Sequence, residues 1–322
     1  MSSGGPVHFA NLYHQFFSLS FDGLNIGAIY ALIALGYTLV YGVLRLINFA
    51  HSEIFMIGTF AALFATRWMD IPANAVPHHG IAIVLILVGS GLVAMAASGG
   101  AAIVLERIAY RPLRRRGASR LAALISAIGA SLFLQELFAK WKGRDPIPFP
   151  RVMKKEHLAT VLRADIRSDK VIIITTAVLM MILLDRFVGL TRLGRGIRAV
   201  AQDAETAALM GVDIDRVITT TFFVGGLMAG VAGVLYMVYY ENTVYNIGFV
   251  PGIKAFTAAV LGGIGNLRGA LLGGLLLGLL ENYGGALFGA QWKDVTAFIL
   301  LVVVLMFRPT GLLGESLGRA RV

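Results

Sequence analysis

The sequence contains no cysteine, which excludes disulfides, thiolate metal sites and cysteine nucleophiles. Charge is scarce as well. Asp, Glu, Lys and Arg make up 14% of the 322 residues, against 57% apolar residues and a mean hydropathy of +0.77. A soluble globule of this length could not cover itself with so few polar groups, so the chain belongs in lipid. Residues 1–44 hold no Lys or Arg; the basic leader of a cleaved signal peptide is missing, and the first apolar run is expected to stay in the mature protein. A phosphate loop of the form Gly-x-x-x-x-Gly-Lys-Ser/Thr is lacking too, which removes that ATP cradle. The formal charge is +10, but the basic residues lie between apolar runs, as in membrane proteins generally. No nucleic acid, metal or cofactor is expected, and no catalytic residue.

What is present is a series of apolar runs at 23–44, 46–66, 81–105, 121–139, 171–184 and 217–240, then 255–267, 269–287 and 295–307. A bilayer core about 30 Å thick takes about 20 residues of helix per crossing. The fold class is therefore all-α: a polytopic transmembrane helical bundle of about eight or nine membrane segments, with residues 1–322 forming a single transmembrane domain. The later runs are short enough to be re-entrant or tightly packed. Residues 106–120 carry six Arg against one Glu, which places them in the cytoplasm. On that footing residues 185–216, Arg45, Arg268 and the tail with Arg308, Arg319 and Arg321 share the cytoplasmic side, and the N-terminus lies outside. Residues 140–170 contain nine Lys or Arg and fall outside if the run 121–139 crosses. Pro146, Pro148 and Pro150 make the start of that loop extended.

Polar residues inside apolar runs are the candidate substrate path. Asn48, His51, Ser52 and Glu53 open the second run; Asn48 and His51, three apart, would share a helix face. A path-lining role and an interhelical lock are both open. In the first run Asn25, Tyr30, Tyr37, Thr38 and Tyr41 interrupt the apolar pattern, and belt-forming aromatics explain part of this. Gly23, Gly27, Ala31 and Ala34 form a close-packing stripe. Gly265, Gly269 and Gly273 recur every four residues; either they pack helices, or the run after Pro251 is a half-helix whose polar end near Asn266 bounds the path. Residues 194–211 read as one Ala-rich helix, stopped at Gly211, with Asp213 capping the next. It sets apolar Leu209 and Met210 beside Arg198, Asp203 and Glu205, which suits docking to a soluble partner, although a helix lying on headgroups looks similar.

Glu205, Ala207 and Gly211, extended by Ala208, match the spacing of the cytoplasmic coupling loop of ABC importer permeases. The block from Gly23 to Gly58, with Ile-Asn-Phe-Ala-His-Ser-Glu, resembles the start of LivH-type branched-chain amino-acid permeases. Val-Leu-Gly-Gly-Ile-Gly-Asn-Leu-Arg-Gly-Ala and the terminal Arg308-Pro309-Thr310-Gly311-Leu312-Leu313-Gly314 are similar to further hallmarks of that family. The resemblance implies a permease of ABC importer type in the bacterial inner membrane. It would assemble with a second permease subunit, two cytoplasmic ATPase subunits and an extracytoplasmic substrate-binding protein. The coupling helix would lie within residues 185–216, and the cargo would be a branched-chain amino acid. Close relatives of such permeases carry urea or short amides, which composition does not distinguish. An ion-coupled transporter is a second class, for which Glu53, Glu136 and Glu281 are the material. An intramembrane enzyme is a third; His51 and Ser52 are a poor pair for it, because sequence neighbours point apart on a helix.

Overall fold

The computed structural model describes residues 9–72, 80–161, 164–308 and 310–314; Arg319 and Arg321 lie outside them. The chain is almost wholly helical. In order it forms α1 (Phe9–Leu44), α2 (His51–Trp68), α3 (Ile81–Leu105), a π turn (Glu106–Tyr110), α4 (Arg111–Arg115) and α5 (Arg120–Lys142). The strands β1 (Ile147–Pro148), β2 (His157–Val161) and β3 (Ala164–Arg167) precede α6 (Ser168–Leu190), α7 (Arg192–Gln202), α8 (Ala204–Leu209) and α9 (Ile214–Tyr240). Then come β4 (Asn242–Thr243), α10 (Phe249–Gly262), α11 (Leu267–Phe288), a single 3-10 turn (Ala290–Trp292) and α12 (Lys293–Phe307). Seven helices among the described residues are long and apolar enough to cross a bilayer. Helix α2, 18 residues long, spans about 27 Å at 1.5 Å per residue; His51, Ser52, Glu53 and Arg67 lower its apolarity, and the bundle buries it. Helix α10, with 14 residues, is too short to cross.

The centre of the bundle is α1 and α9, buried almost throughout, while α3, α5, α6 and α12 turn one side outward. Their outward residues, such as Ile125, Leu179, Ile182, Ile299 and Val302, are large and apolar, as lipid-facing positions must be. The small-residue stripe of α1 packs against α11: a Cβ added at Gly27 would meet the Leu275 Cα at 2.9 Å, and one added at Gly274 would meet the Ala31 Cα at 2.5 Å. Backbones this close exchange dispersion contacts that larger side chains would block.

Three expectations need correction. The second helix starts at His51, not at residue 46: Arg45 sits at φ 51°, residues 46–50 form a turn, and Asn48 therefore precedes the helix instead of sharing its face with His51. Residues 194–211 are two helices. Asp203 adopts an extended φ/ψ and its carboxylate accepts the Glu205 and Thr206 N–H at 3.0 and 3.2 Å, so side-chain capping outweighs the alanine propensity. The run 255–267 is no single segment either. The chain turns at Gly263 and Gly265, with φ of 105° and 98°; Gly265 supplies a backbone conformation rather than packing. Gly211 with φ 81° and the Asp213 cap, which accepts the Arg216 N–H at 3.1 Å, agree with the sequence reading.

Ion pairs gather the loops at two ends of the bundle. At one end Arg111 and Arg114 reach Glu106 at 3.2 and 3.3 Å, Arg114 and Arg115 hold Asp215, and Arg268 reaches Asp185 at 3.2 Å. Arg45 donates to the Ala201 and Gln202 carbonyls there, both at 3.3 Å. At the other end Lys170 pairs with Asp22 at 2.7 Å and Glu241 takes Lys155 and Arg151 at 2.8 and 2.9 Å. Strand β1 pairs with β4, so the proline-rich segment is extended as its sequence predicts.

Candidate functional site

Tyr37 of α1, Phe49 and Ser52 around the start of α2, Ile128, Ser131, Leu132 and Gln135 of α5, and Phe249 and Ile253 of α10 line a cavity of about 280 Å³. That is just under the range of about 300–1,000 Å³ usual for small-molecule sites. The wall is mostly apolar, and its polar groups lie together. Ser131 and Gln135 donate to the Glu53 Oε1 at 3.1 and 2.8 Å, and the single Ser52 hydroxyl proton is shared between that oxygen at 3.2 Å and the Phe49 carbonyl at 2.7 Å. Glu53 is fully buried and its Oε2 has no hydrogen-bond partner. The α10 entry supports the opposite wall. Pro251 sits in its first turn, where a missing N–H costs nothing, and the C-terminal carbonyls of α10 are capped by the tail, through Leu312 N–H to the Leu261 carbonyl at 2.8 Å and Leu313 N–H to the Gly262 carbonyl at 3.0 Å.

The floor of the cavity is aromatic. Tyr37 stands edge-on to His51 with centroids 4.9 Å apart, and Phe256 lies 6.1 Å from Tyr37 and 5.9 Å from Phe49. Beyond this layer is a small space of about 10 Å³, lined by Tyr37, Tyr41, Ile47, Asn48, Phe256, Ala259 and Ile264. Tyr37 is common to both spaces, so the aromatic layer divides them. The second space is on the side where Arg45 meets α7.

Of the path candidates Asn25, Asn48, His51, Glu53 and Asn266, the three from Asn48 to Glu53 come together around Tyr37 and Ser52, although none of them lines the larger cavity. Asn48 lines the small space and its Oδ1 accepts the Tyr110 O–H at 2.8 Å; the π turn at 106–110 places that tyrosine, in the way π turns often mark functional positions. His51 is buried behind Tyr37, in room that exists only because residue 36 is glycine: a Cβ there would collide with the imidazole. Asn25 is buried in α1 with neither amide atom bonded. Asn266 lies in the α10–α11 turn, where it accepts the Gly269 N–H at 3.1 Å and donates to the Leu313 carbonyl at 2.9 Å; it serves as a cap and is not among the residues lining either space. Ser131, Gln135 and Phe249 carried no signal in the sequence, because α5 reads as an ordinary apolar span.

Two of the three carboxylates weighed for ion coupling are engaged. Glu136 pairs with Arg144 at 2.9 Å on the surface, and Glu281 shares the Lys254 ammonium with Asp294, at 2.9 and 2.6 Å. Among the described residues no group of three or more metal-binding side chains occurs.

At the end of the bundle marked by Arg45, α8 presents Leu209 and Met210, 87% and 80% exposed, beside exposed Glu205 and Ala208. Ala207 is buried beneath them. Asp203, besides its backbone contacts, accepts the Thr206 O–H at 2.7 Å; the Thr206 hydroxyl and N–H hold its carboxyl below the usual range. Arg198 is turned away from this surface and donates to the Gly189 carbonyl at the end of α6, at 3.2 Å.

Residues 19–305 match the family described as branched-chain amino acid transport system / permease component. The chain is 42% identical over 308 residues to the high-affinity branched-chain amino acid transport system permease protein BraD of Pseudomonas aeruginosa, spanning 94% of this chain and 97% of that protein. It is 41% identical over 304 residues to the corresponding permease protein LivH of Escherichia coli, spanning 93% and 96%. A probable branched-chain amino acid transport permease protein of Methanocaldococcus jannaschii is 25% identical over 295 residues.

Proposed function

Because the chain belongs to the branched-chain amino acid transport system permease family, we infer that it is the membrane-spanning permease subunit of an ABC importer for branched-chain amino acids. The observation that carries this reading is the match to two named permeases of that kind at 41–42% identity over nearly the full length of both chains. The cavity is consistent with it: an apolar wall with a few convergent polar groups suits a cargo that is apolar along one side and polar at one end.

In this reading the protein makes and breaks no bonds. It lies in the bacterial inner membrane with a second permease subunit, and an extracytoplasmic binding protein delivers the cargo from the side of the β2–β3 hairpin. Two ATPase subunits dock on the opposite, cytoplasmic side, within residues 185–216. Glu205, Ala208, Leu209 and Met210 form the contact surface, Ala207 and Gly211 shape α8 beneath it, and Arg198 fixes α7 to α6. Arg45 supplies the mechanical link, since it grips the end of α7 and lies three residues before Asn48 of the following turn and six before His51, where α2 starts. Movement of α7 and α8 is thereby passed to the floor of the cavity. The aromatic layer of Tyr37, Phe49 and Phe256 is the barrier the cargo must pass, and a conformational cycle driven from outside the chain opens it.

The test is uptake of labelled leucine, isoleucine, valine and urea by the assembled transporter, with Glu205→Ala as the coupling variant. We expect uptake of the three amino acids and not of urea, and with Glu205→Ala a loss of ATPase association at unchanged membrane insertion. Urea uptake without leucine uptake would refute the cargo, and retained assembly with full transport in the variant would refute the coupling surface.

A further inference from the structure

We propose that Glu53 is the group that recognises the ammonium of the transported amino acid, and that it sets the specificity of the path for a zwitterion over an uncharged amide. The inference rests on the reading of the cavity as the cargo path and adds the chemistry of its polar pole. Four observations lead to it. Glu53 is fully buried, in a chain whose surroundings are lipid and packed helices. Among the described residues no Lys, Arg or His is paired with it; Lys254, the buried cation next to the wall residue Ile253, is already held by Glu281 and Asp294. Its three hydrogen bonds all fall on Oε1, and Oε2 has none. The three donors, Ser52, Ser131 and Gln135, are themselves wall residues of the cavity, so the carboxylate stands one hydrogen bond behind its surface.

A buried carboxylate with neutral donors alone is strongly penalised, and the penalty falls when a cation arrives. An incoming ammonium has three donors and no acceptor. It completes the ionic pair that the protein leaves open, and it does so inside a low-dielectric site where such a pair is strengthened. The free Oε2 lies against Gly248, at the mouth of α10, where a Cβ would be 3.3 Å from it; the next residue, Phe249, is part of the cavity wall. The remaining wall, Ile128, Leu132 and Ile253, takes the branched side chain. Urea and short amides bring no positive charge; they can offer Glu53 only neutral N–H donors, as Gln135 already does, and form no ion pair with it.

Glu53→Gln tests the charge while keeping the shape: the amide oxygen takes over the three bonds of Oε1, and the amide nitrogen replaces the unbonded Oε2. In the reconstituted complete transporter, with leucine delivered by its binding protein, we expect leucine uptake to fall by at least about tenfold, since an ion pair is replaced by a neutral contact. Membrane insertion and co-purification of the ATPase subunits, which a merely structural defect would lower, serve as the control for folding and are expected at the wild-type level. The exchanged pair Glu53→Gln with Gln135→Glu keeps the hydrogen bond reversed and puts the carboxylate in the wall itself; we expect it to recover uptake. Wild-type uptake in Glu53→Gln, or an assembled exchange variant with no more uptake than Glu53→Gln, would overturn the assignment. A wild-type complex that carries urea and no leucine would overturn the cargo reading and this assignment together, and is thereby distinguished from failure of Glu53 alone.

Discussion

Asp203 shows how one side chain shapes the surface on which coupling depends. Its carboxylate caps α8 and separates it from α7, and the Thr206 hydroxyl and backbone N–H hold its pKa below the ordinary value. For a carboxyl whose folded pKa is depressed, the stabilising contribution is present above the unfolded value and is lost as pH falls through the folded one. The cap therefore persists across pH 5–8, and leucine transport per ATP should not vary over that range on its account. Asp203→Asn keeps an acceptor and is expected to retain transport, whereas Asp203→Ala, which lets α7 and α8 merge, is expected to lower solute moved per ATP several-fold; equal values for the two variants would remove the cap from the mechanism. At this scale the sequence was partly legible. Asn48, His51 and Glu53 stand out because polar groups in an apolar run are costly. Ser131 and Gln135 do not, since their meaning arises from the contact with Glu53, 78 and 82 positions away in the chain.

The half-helix α10 is the element that connects the cavity to the rest. Pro251 marks its start to within two residues, whereas its end at Gly262 was not legible: the glycines there read as packing residues, and the positive φ of Gly263 and Gly265 turns the chain before Asn266. Its neighbours do not show in the sequence either. The tail at Leu312 and Leu313 caps its carbonyls, and Lys254 ties it to α11 and α12 through Glu281 and Asp294, both long-range contacts that periodicity does not encode. The break within residues 194–211 escapes the sequence for a related reason: alanine propensity is a weak prior, and a well-placed Asp overrides it. If the aromatic layer closes the path, Phe256 of α10 is part of the barrier below the cavity. The absence of native cysteine makes this directly accessible to labelling. A cysteine placed at Ile253, in the cavity wall, should be protected from an impermeant thiol reagent applied from the α8 side, and should become reactive when Phe256→Ala is added. Protection that persists in the Phe256→Ala background would contradict the barrier.

For the molecule as a whole, the arrangement of loops was readable from charge combined with the parity of the spans, since residues 140–170 carry nine Lys or Arg and still lie at the other end. Basic residues group 106–120, 185–216, Arg45 and Arg268 on one side, and the structure collects these segments at one end through ion pairs and the Arg45 contact. Helix number was readable to within the short segments, because α2 is polar at its start and α10 is half a span. The depth of the cavity was not readable, since it depends on how α5 and α10 lean on α2. In the proposed function the chain is a passive path, and ATP hydrolysis in other subunits imposes the direction of transport. The most direct test is accumulation of leucine in vesicles containing the reconstituted complex, with ion gradients collapsed, compared between intact ATPase subunits and subunits unable to hydrolyse ATP. Accumulation above the external concentration is expected with the intact subunits and none with the inactive ones. Uphill accumulation by this permease in the absence of ATP hydrolysis would contradict a passive path.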